Sequence, residues 1–267
     1  MKRIVASIGA IGLALLLSCG DGGEEGEAKQ NGVLYADVWN YGSPDSIGAE
    51  AVLYSDVMVD ISDLTLRING TELEKDEWGG GPYPNFVFFG YVPKTDPSNL
   101  SFTSSVLGNA SASVKIPGPT SITNPADDDT LPAGQDVNVA WNTTTCDFYW
   151  FDVDIDIYDG SGSWLDSRYW SGYTTSASYT IPKDSLSYPG MAYAEVEFEV
   201  SPVMGPVPAP GTKGNITGDI EGFFYGVDQG DEVDFYVGTP VKLGKKRPHE
   251  PFDSKAFLKG VAEIIGR

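Results

Sequence analysis

Residues 150–158 read Trp150-Phe151-Asp152-Val153-Asp154-Ile155-Asp156-Ile157-Tyr158. Apolar and acidic residues alternate one for one, the period of a β-strand with one face in a core and the other in water. On this reading Phe151, Val153, Ile155 and Ile157 point inward, and Trp150, Asp152, Asp154, Asp156 and Tyr158 point outward. The stretch Tyr193–Val200 repeats the pattern, with Ala194, Val196, Phe198 and Val200 inward and Tyr193, Glu195, Glu197 and Glu199 outward. In Trp164–Trp170 the same alternation puts Trp164, Asp166, Arg168 and Trp170 outward.

Working outward from these runs, no stretch between residues 33 and 241 keeps the apolar spacing of a helix. Short segments rich in Val, Ile, Tyr, Phe and Thr recur instead, divided by Gly, Pro, Asn and Asp. The expected strands of the first half are Val33–Trp39, Ala51–Tyr54, Val59–Asn69, Phe86–Tyr91, Leu100–Ser104 and Ala110–Ile116. Asn69-Gly70 is a two-residue hairpin signal, with Thr71–Glu74 as the returning arm. Pro117-Gly118-Pro119 suits neither a helix nor a central strand and is the expected domain boundary. The second half holds Val137–Trp141, Tyr149–Tyr158, Ser163–Trp170, Ser178–Ile181, Met191–Val200, Asn215–Tyr225 and Val233–Gly238. Prolines 202, 206, 208 and 210 make Ser201–Lys213 a stiff crossover rather than a tight turn.

The second half opens Ile122-Thr123-Asn124-Pro125, continues through Leu131-Pro132-Ala133-Gly134-Gln135, and reaches Val137-Asn138-Val139-Ala140-Trp141. This resembles the start of the immunoglobulin- or fibronectin-type modules of microbial surface proteins. Val137, Val139 and Trp141 share one face, so Trp141 is expected in the core. The fold class expected is all-β: two tandem immunoglobulin-like β-sandwiches, 33–117 and 118–241, followed by a short C-terminal amphipathic helix. In the immunoglobulin order, the strands at 149–158, 163–170 and 191–200 would be neighbours in one sheet.

The first eighteen residues carry an address. Lys2 and Arg3 precede an apolar run from Ile4 to Leu17, too short to span a bilayer as a helix, which reads as a signal peptide. It ends in Leu16-Leu17-Ser18-Cys19, which resembles the bacterial lipobox; the resemblance implies lipidation at Cys19 and anchorage in the cell envelope. Gly20, rather than Asp, follows the cysteine, which in that family implies the outer membrane. Residues 19–32, with Asp21, Glu24, Glu25 and Glu27 among glycines, form a self-repelling flexible tether. Cys146 then remains as a lone thiol, expected to act as a small buried hydrophobe.

A formal net charge of −21 argues against nucleic acid as a partner. The only histidine, His249, lies in the tail, which removes His-dependent triads and two-His zinc sites from the sandwiches. No phosphate-binding glycine loop follows a strand, so no nucleotide cofactor is expected. A carboxylate pair could still hydrolyse a glycoside, because residues i and i+2 on a strand sit about 6.6 Å apart.

The aromatic and acidic rows point instead to a binding face. Flat rings stack on sugars while carboxylates accept hydroxyl hydrogen bonds. The expected ligand residues are Trp150, Tyr158, Trp164, Arg168, Trp170 and Tyr193, with a glycan or an envelope protein as partner. Two loop clusters, Asp127-Asp128-Asp129 and Asp228 with Asp231, are expected to bind calcium weakly, because turns let carboxylates converge where a rigid strand face does not. The tail 242–267 is basic, in contrast to the acidic body. Its residues Phe257, Leu258, Val261, Ile264 and Ile265 form one helical stripe, capped by Asp253 or Ser254. That stripe needs a surface: its own body, an anionic membrane, or a partner in an envelope assembly.

Overall fold

The computed structural model describes residues 32–78, 85–241 and 252–266. The signal segment, Cys19, the tether up to residue 31, and the basic stretch 242–251 with His249 lie outside the described residues.

The chain is all-β with one helix. It opens with β1 (Gly32–Asn40), β2 (Ser46–Ser55), β3 (Thr65–Ile68), β4 (Thr71–Glu72), β5 (Glu74–Trp78), β6 (Asn85–Pro93), β7 (Ser98–Ser104) and β8 (Gly108–Val114). After Pro117 follow β9 (Ile122–Asn124), β10 (Thr130–Leu131), β11 (Val137–Trp141), β12 (Phe148–Tyr158), β13 (Trp164–Thr174), β14 (Ser178–Ile181) and β15 (Tyr193–Met204). Then come β16 (Thr217–Gly218), β17 (Glu221–Asp228), β18 (Asp231–Gly238) and the helix α1 (Ser254–Ile265). The Asn69-Gly70 turn forms as expected, both residues with positive φ, and pairs Ile68 with Thr71.

The second sandwich divides its strands in the immunoglobulin manner. β9, β11 and β14 form one sheet, and β13, β12, β15 and β18 the other; β10 splits from the first strand to pair in parallel with β18. Between them lie Val139, Trp141, Phe151, Val153, Ile155, Phe198 and Phe235. Trp141 is buried as expected, packed on Tyr149 and Phe198 at ring separations of 5.4 and 5.9 Å. Cys146 packs at the margin of this core, and burial pushes its thiol up.

The first sandwich stacks β17-β1-β2-β6-β5 on β16-β8-β7-β3-β4. Here one expected strand goes elsewhere than the sequence reading placed it. Asn215–Tyr225 was assigned to the second sandwich, yet β17 pairs in parallel with β1, from Val33↔Glu221 to Asn40↔Asp228. Ile216, Ile220 and Phe224 fill the core of the first sandwich, beside Leu34, Ala36 and Phe88. The proline-rich crossover therefore bridges two sandwiches rather than two sheets of one. Apolar alternation reports that a strand has a core face but not which sheet receives it.

β15 joins the halves. Its first part pairs with β12 and β18, and its last residues, Val203 and Met204, pair with Val227 and Gly226 of β17. One ten-stranded sheet thus runs through both sandwiches. Helix α1 lies on its outer face, capped by Asp253, whose carboxylate accepts the Ala256 N–H at 2.9 Å. Phe257, Leu258, Val261 and Ile265 bury against Tyr35 and Val52 of one half and Phe148 and Trp150 of the other.

Candidate binding face

On the outward side of β13-β12-β15-β18, the strands β12, β15 and β18 pair in continuous register. Asp152 faces Glu199, Asp154 faces Glu197 and Asp156 faces Glu195. β18 extends the rows, with Glu232 opposite Glu199 and Asp234 opposite Glu197. Side chains directly opposed across an antiparallel pair approach within about 5 Å, so like charges here repel. The structure answers with a proton. Burial, and then the Asp152 charge, pushes the Glu199 carboxyl up to about 8, and one of its oxygens is buried without a hydrogen-bond partner among the described residues. Burial also raises Asp152, to about 6, although the Tyr169 hydroxyl donates to its Oδ1 at 2.8 Å. Near neutral pH Glu199 keeps its proton.

The six expected ligand residues do not stay together. Trp150 is on the outer face but lies beneath α1, edge-on to Phe257 at 5.2 Å. Tyr158 and Tyr193 pair across the strands and stack at 5.0 Å, with Tyr193 buried. Trp164 is 59% exposed beside them. Arg168 and Trp170 belong to the opposite face: they sit across from Ile155 and Val153, and Trp170 packs on the core with its Nε1 donating to the Tyr179 hydroxyl at 3.2 Å. Arg168 ties down the loop after β14 by donating to the carbonyls of Asp184 and Ser187 at 2.6 and 2.9 Å.

The cause is a break in register. Ile157 pairs with Asp166 but Tyr158 pairs with Trp164, so one extra residue lies in β13. A bulge of this kind reverses the alternation on one side of itself. Trp164 stays outward, while Asp166, Arg168 and Trp170 turn inward and Ser167, Tyr169 and Ser171 take their place. Tyr169, missed from the sequence, is 61% exposed. No residue within 164–170 announces the bulge, so counting from Trp164 gives the wrong parity.

What remains on the open margin is a pair of rings fixed by carboxylates. Trp164 Nε1 donates to Asp156 Oδ1 at 3.4 Å, and Tyr169 donates to Asp152.

The loop acids expected to hold calcium are engaged separately. Asp127 Oδ1 accepts the Asp234 N–H at 3.2 Å, and Asp129 Oδ2 accepts the Ala126 N–H at 2.8 Å. Asp128 takes a left-handed φ of 64° in the turn. Asp228 accepts from the Asn40 side chain at 2.9 Å, and Asp231 from the Ile122 N–H at 2.8 Å. Among the described residues no three His, Cys, Asp or Glu side chains converge to hold a metal ion. In these turns and junctions Asp127, Asp129, Asp228 and Asp231 each accept from a nearby N–H. No described helix is long and apolar enough to cross a membrane.

No protein-family model and no curated protein matches the sequence. Among solved structures, the Yersinia pseudotuberculosis adhesin InvE is similar at 15% identity and a TM-score of 0.27, over 79% of this chain and 59% of that one. The fibronectin(III)-like modules of Clostridium thermocellum CbhA match at 11% identity and 0.26, over 81% of this chain and 96% of theirs. The mouse nectin-like molecule 4 ectodomain, Ig1–Ig3, matches at 10% and 0.23, over 81% and 67%. At these scores the likeness is one of general strand arrangement and says nothing of a ligand.

Proposed function

We propose that this chain is a lipid-anchored, non-catalytic binding module of the bacterial cell envelope, held at the outer membrane through Cys19, and that it binds glycan on the outer face of its second sandwich. The observation that carries the glycan reading is the pair Trp164 and Tyr169, both more than half exposed and each oriented by a hydrogen bond to a strand carboxylate. Rings held in place lose little entropy when a sugar stacks on them, and Asp154 and Asp156 beside them supply acceptors for hydroxyls. The anchor reading is supported by the charged start, apolar run and Leu16–Cys19 box of the sequence.

The competing role as an assembly component docking through the tail helix has less support, because the apolar stripe of α1 is already buried on its own body. The test is retention on insoluble envelope polysaccharides by the full chain. Trp164→Ala with Tyr169→Ala is expected to weaken retention at least tenfold at unchanged melting temperature. Full retention by the double variant, or release of reducing ends from the polysaccharide, overturns the reading. Metabolic labelling with a fatty-acid analogue that fails to mark the wild type, or marks Cys19→Ala equally, overturns the anchor.

A further inference from the structure

We infer that the outer face of the first sandwich carries a second glycan platform, made by Trp39, Tyr41 and Tyr91, for consecutive rings of a neutral polysaccharide. The inference shares its ligand class with the reading of Trp164 and Tyr169 and rests on that reading for nothing else, since its residues lie in other strands.

The platform is built from β1, β2 and β6. Trp39 faces Gly48, and Gly48 faces Tyr91, so the three occupy one row across the sheet. A Cβ on Gly48 would stand 2.1 Å from Trp39 Cε2 and 2.2 Å from Cζ2. The indole therefore lies over the space a side chain would fill, directed toward Tyr91. The backbones of Trp39 and Tyr91 are two strand spacings apart, roughly 10 Å, and the indole lying over Gly48 brings the Trp39 ring nearer to Tyr91 than that. Tyr91 is 71% exposed, and Tyr41, from the turn after β1, meets it edge-on at 5.5 Å. Phe89, two residues back on β6, is also exposed on this face.

Hydrogen bonds hold the parts in place. The Tyr41 and Ser46 hydroxyls share a hydrogen bond of 2.6 Å, and the Lys94 backbone N–H donates to the Asp45 backbone carbonyl at 3.0 Å, which closes the turn onto the end of β6. Beside this turn opens a cleft of about 310 Å3 walled by Asn40, Lys94, Thr95, Asp96, Ile116 and Pro117. Its polar groups are engaged within the protein: the Asn40 amide donates to Asp228 and accepts from Lys94 Nζ, and the Thr95 hydroxyl donates to the Pro97 carbonyl. Charge sets the class further. With Asp45 and Asp96 at the rim and a net charge of −21, an anionic polysaccharide is repelled where a neutral one is not.

Tyr91, Phe89 and Tyr41 are the exposed rings of this patch, and Trp39, half-buried against the cluster under α1, forms its floor; exposed rings in an otherwise polar setting mark an interaction site. The first platform lies on the other side of α1 on the same continuous sheet, so two weak sites on one face gain avidity on a polymer without new contacts.

Affinity electrophoresis of the full chain in native gels separates the outcomes. The gels contain a neutral β-glucan, a neutral mannan or anionic alginate. Wild type is expected to be retarded by at least one neutral polymer and not by alginate. Tyr91→Ala, at unchanged melting temperature, is expected to weaken that retardation at least tenfold, and Tyr91→Phe, which keeps the ring, to restore most of it. Undiminished retardation of Tyr91→Ala overturns this site, and retardation by alginate alone overturns its ligand class. Loss in the Trp164/Tyr169 variant but not in Tyr91→Ala leaves only the first site standing; the reverse leaves only this one. Failure of every neutral polymer to retard wild type overturns both.

Discussion

Asp37 and Glu199 are carboxylates in positions where water cannot reach them easily, and each is tolerated for a different local reason. Asp37, on the outer side of β1, is fully buried under the start of α1, where the Ser254 hydroxyl donates to both its oxygens at 2.7 and 2.9 Å. Burial holds its carboxyl well above the usual range, reinforced by Glu50 directly across on β2. Glu199 is raised to about 8 in the acid row of the second sandwich. For both, the folded protein favours the protonated form more than the unfolded chain does. Their contribution is therefore fully present at pH below the ordinary carboxylate range and is lost as pH rises toward the folded value. For Glu199 that window runs from about pH 4.5 to about pH 8. Glu199→Gln keeps the shape without the charge, so it is expected to raise stability by a few kcal/mol near pH 8 and by little near pH 4. Urea melts of both proteins across that range check it; parallel curves would mean Glu199 does not titrate as described.

At the scale of an element, α1 shows why a glycine stands in mid-helix. Gly260 lies against the Trp150 ring, and an added Cβ would come within 2.7 Å of Trp150 Cη2. In an exposed helix Gly→Ala gains roughly 1 kcal/mol. Here Gly260→Ala is expected to cost about 1–3 kcal/mol, because the helix or the indole must shift in a packed interface. Thermal unfolding decides the sign, and a gain would show that the helix sits less tightly on Trp150. The apolar stripe and a cap at Asp253 or Ser254 were legible in the sequence, since both depend on spacing along one element, and the structure places the cap at Asp253. The partner of the stripe was not, and neither was the bulge in β13 that sends Trp170 inward and Tyr169 outward. Both are set by what lies across from the element rather than within it.

For the whole molecule the consequence is a two-sandwich body held by a continuous sheet and a helix laid over its seam. The seam itself is short: Val203↔Val227 and Met204↔Gly226 are the pairs that join β15 to β17. Deleting residues 252–267 is expected to expose Tyr35, Trp150, Phe223 and Tyr225 together. Stability should fall by several kcal/mol, since each large apolar side chain of α1 contributes roughly 1.5–3 kcal/mol less the ordering cost of the helix. The predicted signs are a red-shifted tryptophan emission, binding of a hydrophobic dye, and faster hydrogen exchange at Val203 and Val227. An unchanged emission and exchange pattern would mean the helix contributes nothing to the seam.

Taken alone, the sequence determined the all-β class, most strands of the body, the outward acid rows of Asp152, Asp154, Asp156 and Glu195, Glu197, Glu199 on neighbouring strands, and the burial of Trp141. These follow from a two-residue period and local turn chemistry, which any short window of chain carries. Only the tertiary structure decided that β17 joins the first sandwich, that α1 closes over Trp150, and that Trp39 and Tyr91 line up across Gly48. Each of these joins residues far apart in the chain, and alternation is identical whichever sheet, face or neighbour receives the strand.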